Sequence, residues 1–183
     1  MAFTKLQAEG INLADTFAFT GTVSGAGGGI TERDSWRITA DAANPSGSLT
    51  ANWERVDTDG FALLGTGLSE SSGVFSFPST GHWLIYAVAT WNNSSADERY
   101  IHMAIQVAPD GSTFDNAAQS RGNCSGGSSA RNGNTVCVFG IDVTNATNQK
   151  IRISLDNSHT STTIAGDSTN SKTYIVAVKL GDT

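Results

Sequence analysis

Charge is scarce in this chain: only 15% of its 183 residues are Asp, Glu, Lys or Arg, and the balance is acidic, 17 acids against 11 bases. With a net charge of −6 and no basic cluster, non-specific binding to nucleic acid or to an anionic membrane surface is excluded. No apolar run approaches the ~20 residues of a membrane span. Met1-Ala2-Phe3-Thr4-Lys5 lacks the basic-then-apolar layout of a secretion signal, so synthesis and assembly in a cytosol are expected. There are 3 prolines and 2 cysteines. Cys124 and Cys137 belong to no CxxC or Cys/His cluster, which gives no reason to expect a metal. In a reducing compartment they read as free thiols, Cys137 as a small core residue; a bridge between them is not decided by sequence.

Catalytic patterns are missing as well. His82, His102 and His159 are scattered, without the spacing of metal ligands. Gly25 to Gly29 is not followed by Lys-Ser/Thr, as a phosphate loop would be, and no serine sits in a Gly-x-Ser-x-Gly elbow. Asp57-Thr58-Asp59-Gly60 is a fragment of a calcium loop without the closing Glu, and reads as an Asp-capped turn, with a surface calcium assembled from this and other loops as the alternative. The expectation is a non-enzyme with no cofactor. Trp53 and Trp91 have two readings, core or interface residues or exposed platforms for sugar stacking.

What is abundant is turn chemistry: 20 glycines, with many Ser, Thr and Asn, which are poor helix formers. Between the turns lie short apolar stretches, several with a period of two, at 36–40, 49–56, 61–64, 74–77, 82–91, 99–108, 116–121, 135–143, 151–155 and 173–180. The chain is therefore expected to be all-β, a jelly-roll β-sandwich of about ten short antiparallel strands. Gly122 to Asn134 is rich in Gly, Ser and Asn and reads as a mobile tip.

Residues 75–91 organise the rest. Phe75 and Phe77 alternate with serines, Pro78-Ser79-Thr80-Gly81 turns, and His82 to Trp91 then runs apolar on both faces. Trp83, Ile85 and Ala87 share one face, and Leu84, Tyr86 and Val88 the other. Either both faces are core of one chain, or one is covered by another subunit; no helical pattern elsewhere supplies a cover.

Residues 1–30 form a separate unit. Ile11, Leu13, Phe17, Phe19 and Val23 keep a period of two, in a segment too small to fold alone. Gly25-Ala26-Gly27-Gly28-Gly29 follows as a flexible joint. The expected organisation is a short extended N-terminal arm with its joint, 1–30, and a head, 31–183.

Phe77-Pro78, Gly81-His82-Trp83-Leu84-Ile85-Tyr86, the pair Val138-Phe139-Gly140-Ile141 and Lys150-Ile151-Arg152-Ile153, and the closing Tyr174-Ile175-Val176-Ala177-Val178 resemble the tumour necrosis factor and complement globular-head superfamily. The resemblance spans roughly residues 33–181. It implies a jelly roll that forms tight homotrimers. It also implies that Leu84, Tyr86 and Val88, joined by Val138 and Tyr174, line the three-fold axis, with Trp83, Ile85, Phe139 and Ile141 filling the sandwich. The sequence shows no collagen-like Gly-x-y stem, and neither a stem nor a membrane anchor is expected.

Ala2-Phe3-Thr4 and Gly10-Ile11-Asn12-Leu13-Ala14-Asp15-Thr16-Phe17-Ala18-Phe19-Thr20-Gly21-Thr22-Val23 are similar to N-terminal segments of phage virion proteins, particularly of marine and cyanobacterial phages. That similarity implies an arm docked through Ile11, Leu13, Phe17, Phe19 and Val23 on other virion proteins, capsid or tail. Together the two resemblances imply a homotrimeric virion structural protein, a head decoration, cement or fibre protein assembled in the host bacterial cytoplasm. The alternatives are a tail-fibre tip that binds a host surface glycan through loops such as 92–98 and 122–134, and a polysaccharide hydrolase.

Overall fold

The computed structural model describes residues 29–58, 60–94, 98–124 and 131–183. The described residues hold thirteen strands and no helix. They are β1 (Arg33–Ile38), β2 (Ala42–Ala43), β3 (Gly47–Ser48), β4 (Trp53–Arg55), β5 (Ser69–Ser71), β6 (Val74–Ser76), β7 (Gly81–Asn93), β8 (Glu98–Ala108), β9 (Asp115–Cys124), β10 (Arg131–Val143), β11 (Lys150–Asn157), β12 (Thr162–Ile164) and β13 (Tyr174–Gly181). Every pairing is antiparallel, and the strands divide between two sheets.

One sheet runs β2-β12-β7-β13-β1-β4, with β10 also on β7. β7 is its hub. β10 pairs with it along its whole length, from Val143 opposite Gly81 to Arg131 opposite Asn93. On the other side β13 pairs with residues 82–88 and β12 with residues 91–93. The second sheet runs β5-β6-β11-β8-β9, and β3 also pairs with β11. The sheets pack face to face, as two one-sided apolar layers must.

The odd residues of β7 from Trp83 to Trp91 point into the sandwich and are buried. They meet Ile101, Met103 and Ile105 of β8 and Ile151, Ile153 and Leu155 of β11 in one apolar core. Trp83 and Ile85 are in it, with Ile141 buried and Phe139 packed against it, so these four fill the sandwich as expected. Phe77 packs against Trp83 with ring centroids 5.2 Å apart. Cys137 is buried and free, and burial pushes its thiol pKa up.

Five details depart from the sequence reading. First, the apolar stretch 49–56 is not one strand. Asn52 takes φ 64, a left-handed conformation that interrupts it, and the chain passes from β3 in one sheet to β4 in the other. Second, residues 61–64 form no strand, only a single bridge of Leu64 to Arg33. Third, Gly122–Cys124 and Arg131–Asn134, read as part of a mobile tip, extend β9 and β10 as paired strands. Fourth, β7 and β10, at 13 residues each, are not short. Fifth, the strand count exceeds ten because pieces of two or three residues, such as β2, β3 and β12, are too brief to show a period.

Candidate assembly face

The even residues of β7 point away from the core, and the ladders place apolar side chains beside them. Three rows cross β10, β7 and β13: Val136–Val88–Tyr174, Val138–Tyr86–Val176, and Gly140–Leu84–Val178. Eight of these nine positions are apolar or aromatic and the ninth is glycine. Leu84 is 36% exposed, Tyr86 37%, Val136 38% and Val138 50%. Val88 is buried, and Tyr174 and Val176 are half-buried. The Tyr86 and Tyr174 rings lie 6.5 Å apart. Burial, with Tyr86 adding to it, pushes the Tyr174 phenol pKa up. Leu180, at the end of β13, is 58% exposed.

The five residues assigned to a three-fold axis, Leu84, Tyr86, Val88, Val138 and Tyr174, thus fall on one continuous face. Val136, Val176 and Val178 belong to the same face, although the sequence did not single them out. Their parity could have revealed them: Val136 is two residues from Val138, and Val176 and Val178 follow Tyr174 at the same spacing. Ile11, Leu13, Phe17, Phe19 and Val23 lie outside the described residues.

The face has polar borders. His82 and Asp142 lie opposite each other at its lower end, 3.9 Å apart. On the β1–β4 side, the fully buried Arg37 donates to Glu54 Oε1 and Asp57 Oδ1, both at 2.7 Å, and to Thr58 Oγ1 at 2.8 Å. Asp57 is therefore engaged by a guanidinium. An apolar centre within a polar border is the anatomy of a protein–protein contact, because water is expelled most favourably from the middle.

The other candidates resolve differently. Trp91 is buried beneath β10, and Trp53 packs edge-on against Phe75 at 5.0 Å while its Nε1 donates to Leu49 O at 2.8 Å. Neither is a platform for sugar. Among the described residues no three His, Cys, Asp or Glu side chains converge as metal ligands would.

The two-sheet arrangement is a jelly roll of the tumour necrosis factor-like kind. The chain is similar in structure to Eiger TNF from S. frugiperda, with a TM-score of 0.61 and 11% identity over 83% of this chain and 94% of that one. It is also similar to murine APRIL at pH 8.5, with a TM-score of 0.54 and 12% identity over 81% of this chain and 98% of that one. At such identities the likeness is one of fold. No family model matches the sequence, and no curated protein matches it.

Proposed function

We propose that the chain is a non-enzymatic virion structural protein, a homotrimeric decoration, cement or fibre protein of a phage particle. The observation that carries the assembly is the exposed face of β10, β7 and β13, where three rows of apolar side chains meet solvent within a polar border. Exposed apolar patches of this continuity mark interaction sites on soluble proteins. The three-fold form is carried over from the superfamily resemblance, and the fold likeness to Eiger TNF and APRIL is consistent with it. The virion role rests on the similarity of residues 2–23 to phage arms.

The two halves of the proposal separate by experiment. Deleting residues 1–29 should leave a soluble trimer that no longer joins particles. Unchanged incorporation would overturn the docking role of the arm. Immunogold labelling of particles with antibody to the head then distinguishes capsid from tail.

A further inference from the structure

A second feature lies on the outer side of the other sheet, away from the apolar face. A groove of about 470 Å³ runs over β5, β6 and β11, and the loop after β8 contributes Gly111 and Phe114 to its lining. That is within the range of small-ligand sites. Ser69, Ser71 and Ser76 line it together with Val74, Phe114, Lys150 and Glu70. The ladders place Ser69 opposite Ser76, and Ser76 opposite Lys150, so two hydroxyls and an ammonium lie in one row across three strands.

The charge on this side is unusual for an acidic chain. Lys150 and Arg152 stand two apart on the outer side of β11. Their cross-strand neighbours are Ser76 and Ala108 for Lys150, and Val74 and Gln106 for Arg152. None is acidic, although opposite charges are the favoured neighbours of a strand cation. Lys150 is half-buried, and no described residue forms a hydrogen bond or ion pair with its ammonium. Arg152 is held beside the groove, its guanidinium 4.1 Å from the Phe114 ring centroid and its Nε donating to Gln106 Oε1 at 2.7 Å. The nearest acids are engaged by backbone amides. Glu70, which also lines the groove, accepts the Gly73 amide at 2.6 Å, and Asp110 Oδ1 accepts the amides of Ser112 and Thr113. The serine hydroxyls have no partner among the described residues.

We infer that this groove binds an acidic saccharide. Lys150, with Arg152 beside it, would meet the carboxylate or sulfate, the three serines the ring hydroxyls, and Val74 and Phe114 the apolar edge of a sugar. An unpaired ammonium gains most from an anion, and a row of free hydroxyls suits a polyol rather than a bare ion. The site is separate from loops 92–98 and 122–134. It lies on the sheet opposite the proposed interface, and does not depend on that interface being real.

The test is calorimetric titration of the full chain with tetragalacturonate and with a chondroitin sulfate tetrasaccharide, the neutral maltotetraose and inorganic phosphate serving as comparisons. At least one acidic oligosaccharide should bind, at least tenfold more tightly than maltotetraose and than phosphate. Lys150→Ala should weaken it at least tenfold, and the double variant Ser69→Ala/Ser76→Ala at least threefold; both sites are on the surface, so the fold should persist by circular dichroism. Binding of neither acidic oligosaccharide, equal binding of maltotetraose, or binding unchanged in Lys150→Ala would overturn the inference. Phosphate binding as tightly as the oligosaccharides would also overturn it, leaving a simple anion site.

Discussion

Asp34 shows how much one residue carries in this fold. Its carboxylate is fully buried, yet it accepts from Trp36 Nε1 at 2.9 Å, the Leu68 amide at 2.8 Å, its neighbour's amide at 2.9 Å, and Arg55 Nε at 3.1 Å. A buried charge is tolerable only when its lone pairs are filled in this way. Asp34 thereby ties β1 to β4 and to the segment entering β5. Asp34→Ala should cost about 3 kcal/mol in urea unfolding, because it strands an indole and an amide and takes from Arg55 its carboxylate partner. A loss below about 1 kcal/mol would show that water replaces the carboxylate. Two turn carboxylates act through pH instead. The Thr113 and Ser112 amides lower Asp110 to about 2, and the Asn170 amide, Lys172 and the Thr169 amide hold Asp167 well below the usual carboxylate range. Both folded pKa values are depressed, so the stability they contribute is present above the unfolded value near 4 and is lost as pH falls through the folded values. Tm should therefore fall between about pH 4 and pH 2. Asp110→Asn should flatten part of that slope; an unchanged slope would remove Asp110 from the account.

Among the elements, β7 is the most legible in the sequence and its surroundings the least. A period of two is enough to assign Trp83 and Ile85 to one side and Leu84 and Tyr86 to the other, because alternation is a property of the strand itself. What alternation does not settle is the exposure of a side, which depends on which strands lie across from it. The left-handed turn at Asn52 and the pairing of the Gly-rich ends of β9 and β10 depend on tertiary contacts in the same way. Trp91 illustrates the last case. Its indole lies against Gly133 and near Gly122, where a Cβ at Gly122 would come within 3.4 Å of Nε1. A Cβ at Gly133 would overlap the indole ring itself. Local propensity reads these glycines as loop, whereas the structure uses them to let β9 and β10 close over a tryptophan. Gly133→Val should destabilise by about 2 kcal/mol, read as a lowered urea midpoint, since the ring has nowhere to move in a filled core. Gly140→Val is the internal control: nothing lies within 4 Å of a Cβ there, so the subunit should keep its stability. Equal losses in the two would contradict this reading of Trp91.

At the scale of the whole molecule, the two sheets have outer sides of different character. The sheet of β7 presents three apolar rows, and the sheet of β11 a polar groove lined by Lys150 and Glu70 with Arg152 beside it. A chain that exposed the apolar rows alone in solution would risk non-specific association, so a specific self-contact is the economical explanation. In the proposed trimer that side is covered three times over and the groove sides remain outermost. Tyr86→Asp separates the proposal from a purely structural role. Tyr86 is 37% exposed in the single chain, so the substitution should leave folding within about 0.5 kcal/mol of the parent. In an assembly it would bring three carboxylates together without partners, and association should be lost. The most direct test is the mass of the full chain by multi-angle light scattering at micromolar concentration, beside that of Tyr86→Asp. The account predicts three times the 19.1 kDa chain for the parent and the single-chain mass for the folded variant. A monomeric parent would contradict it.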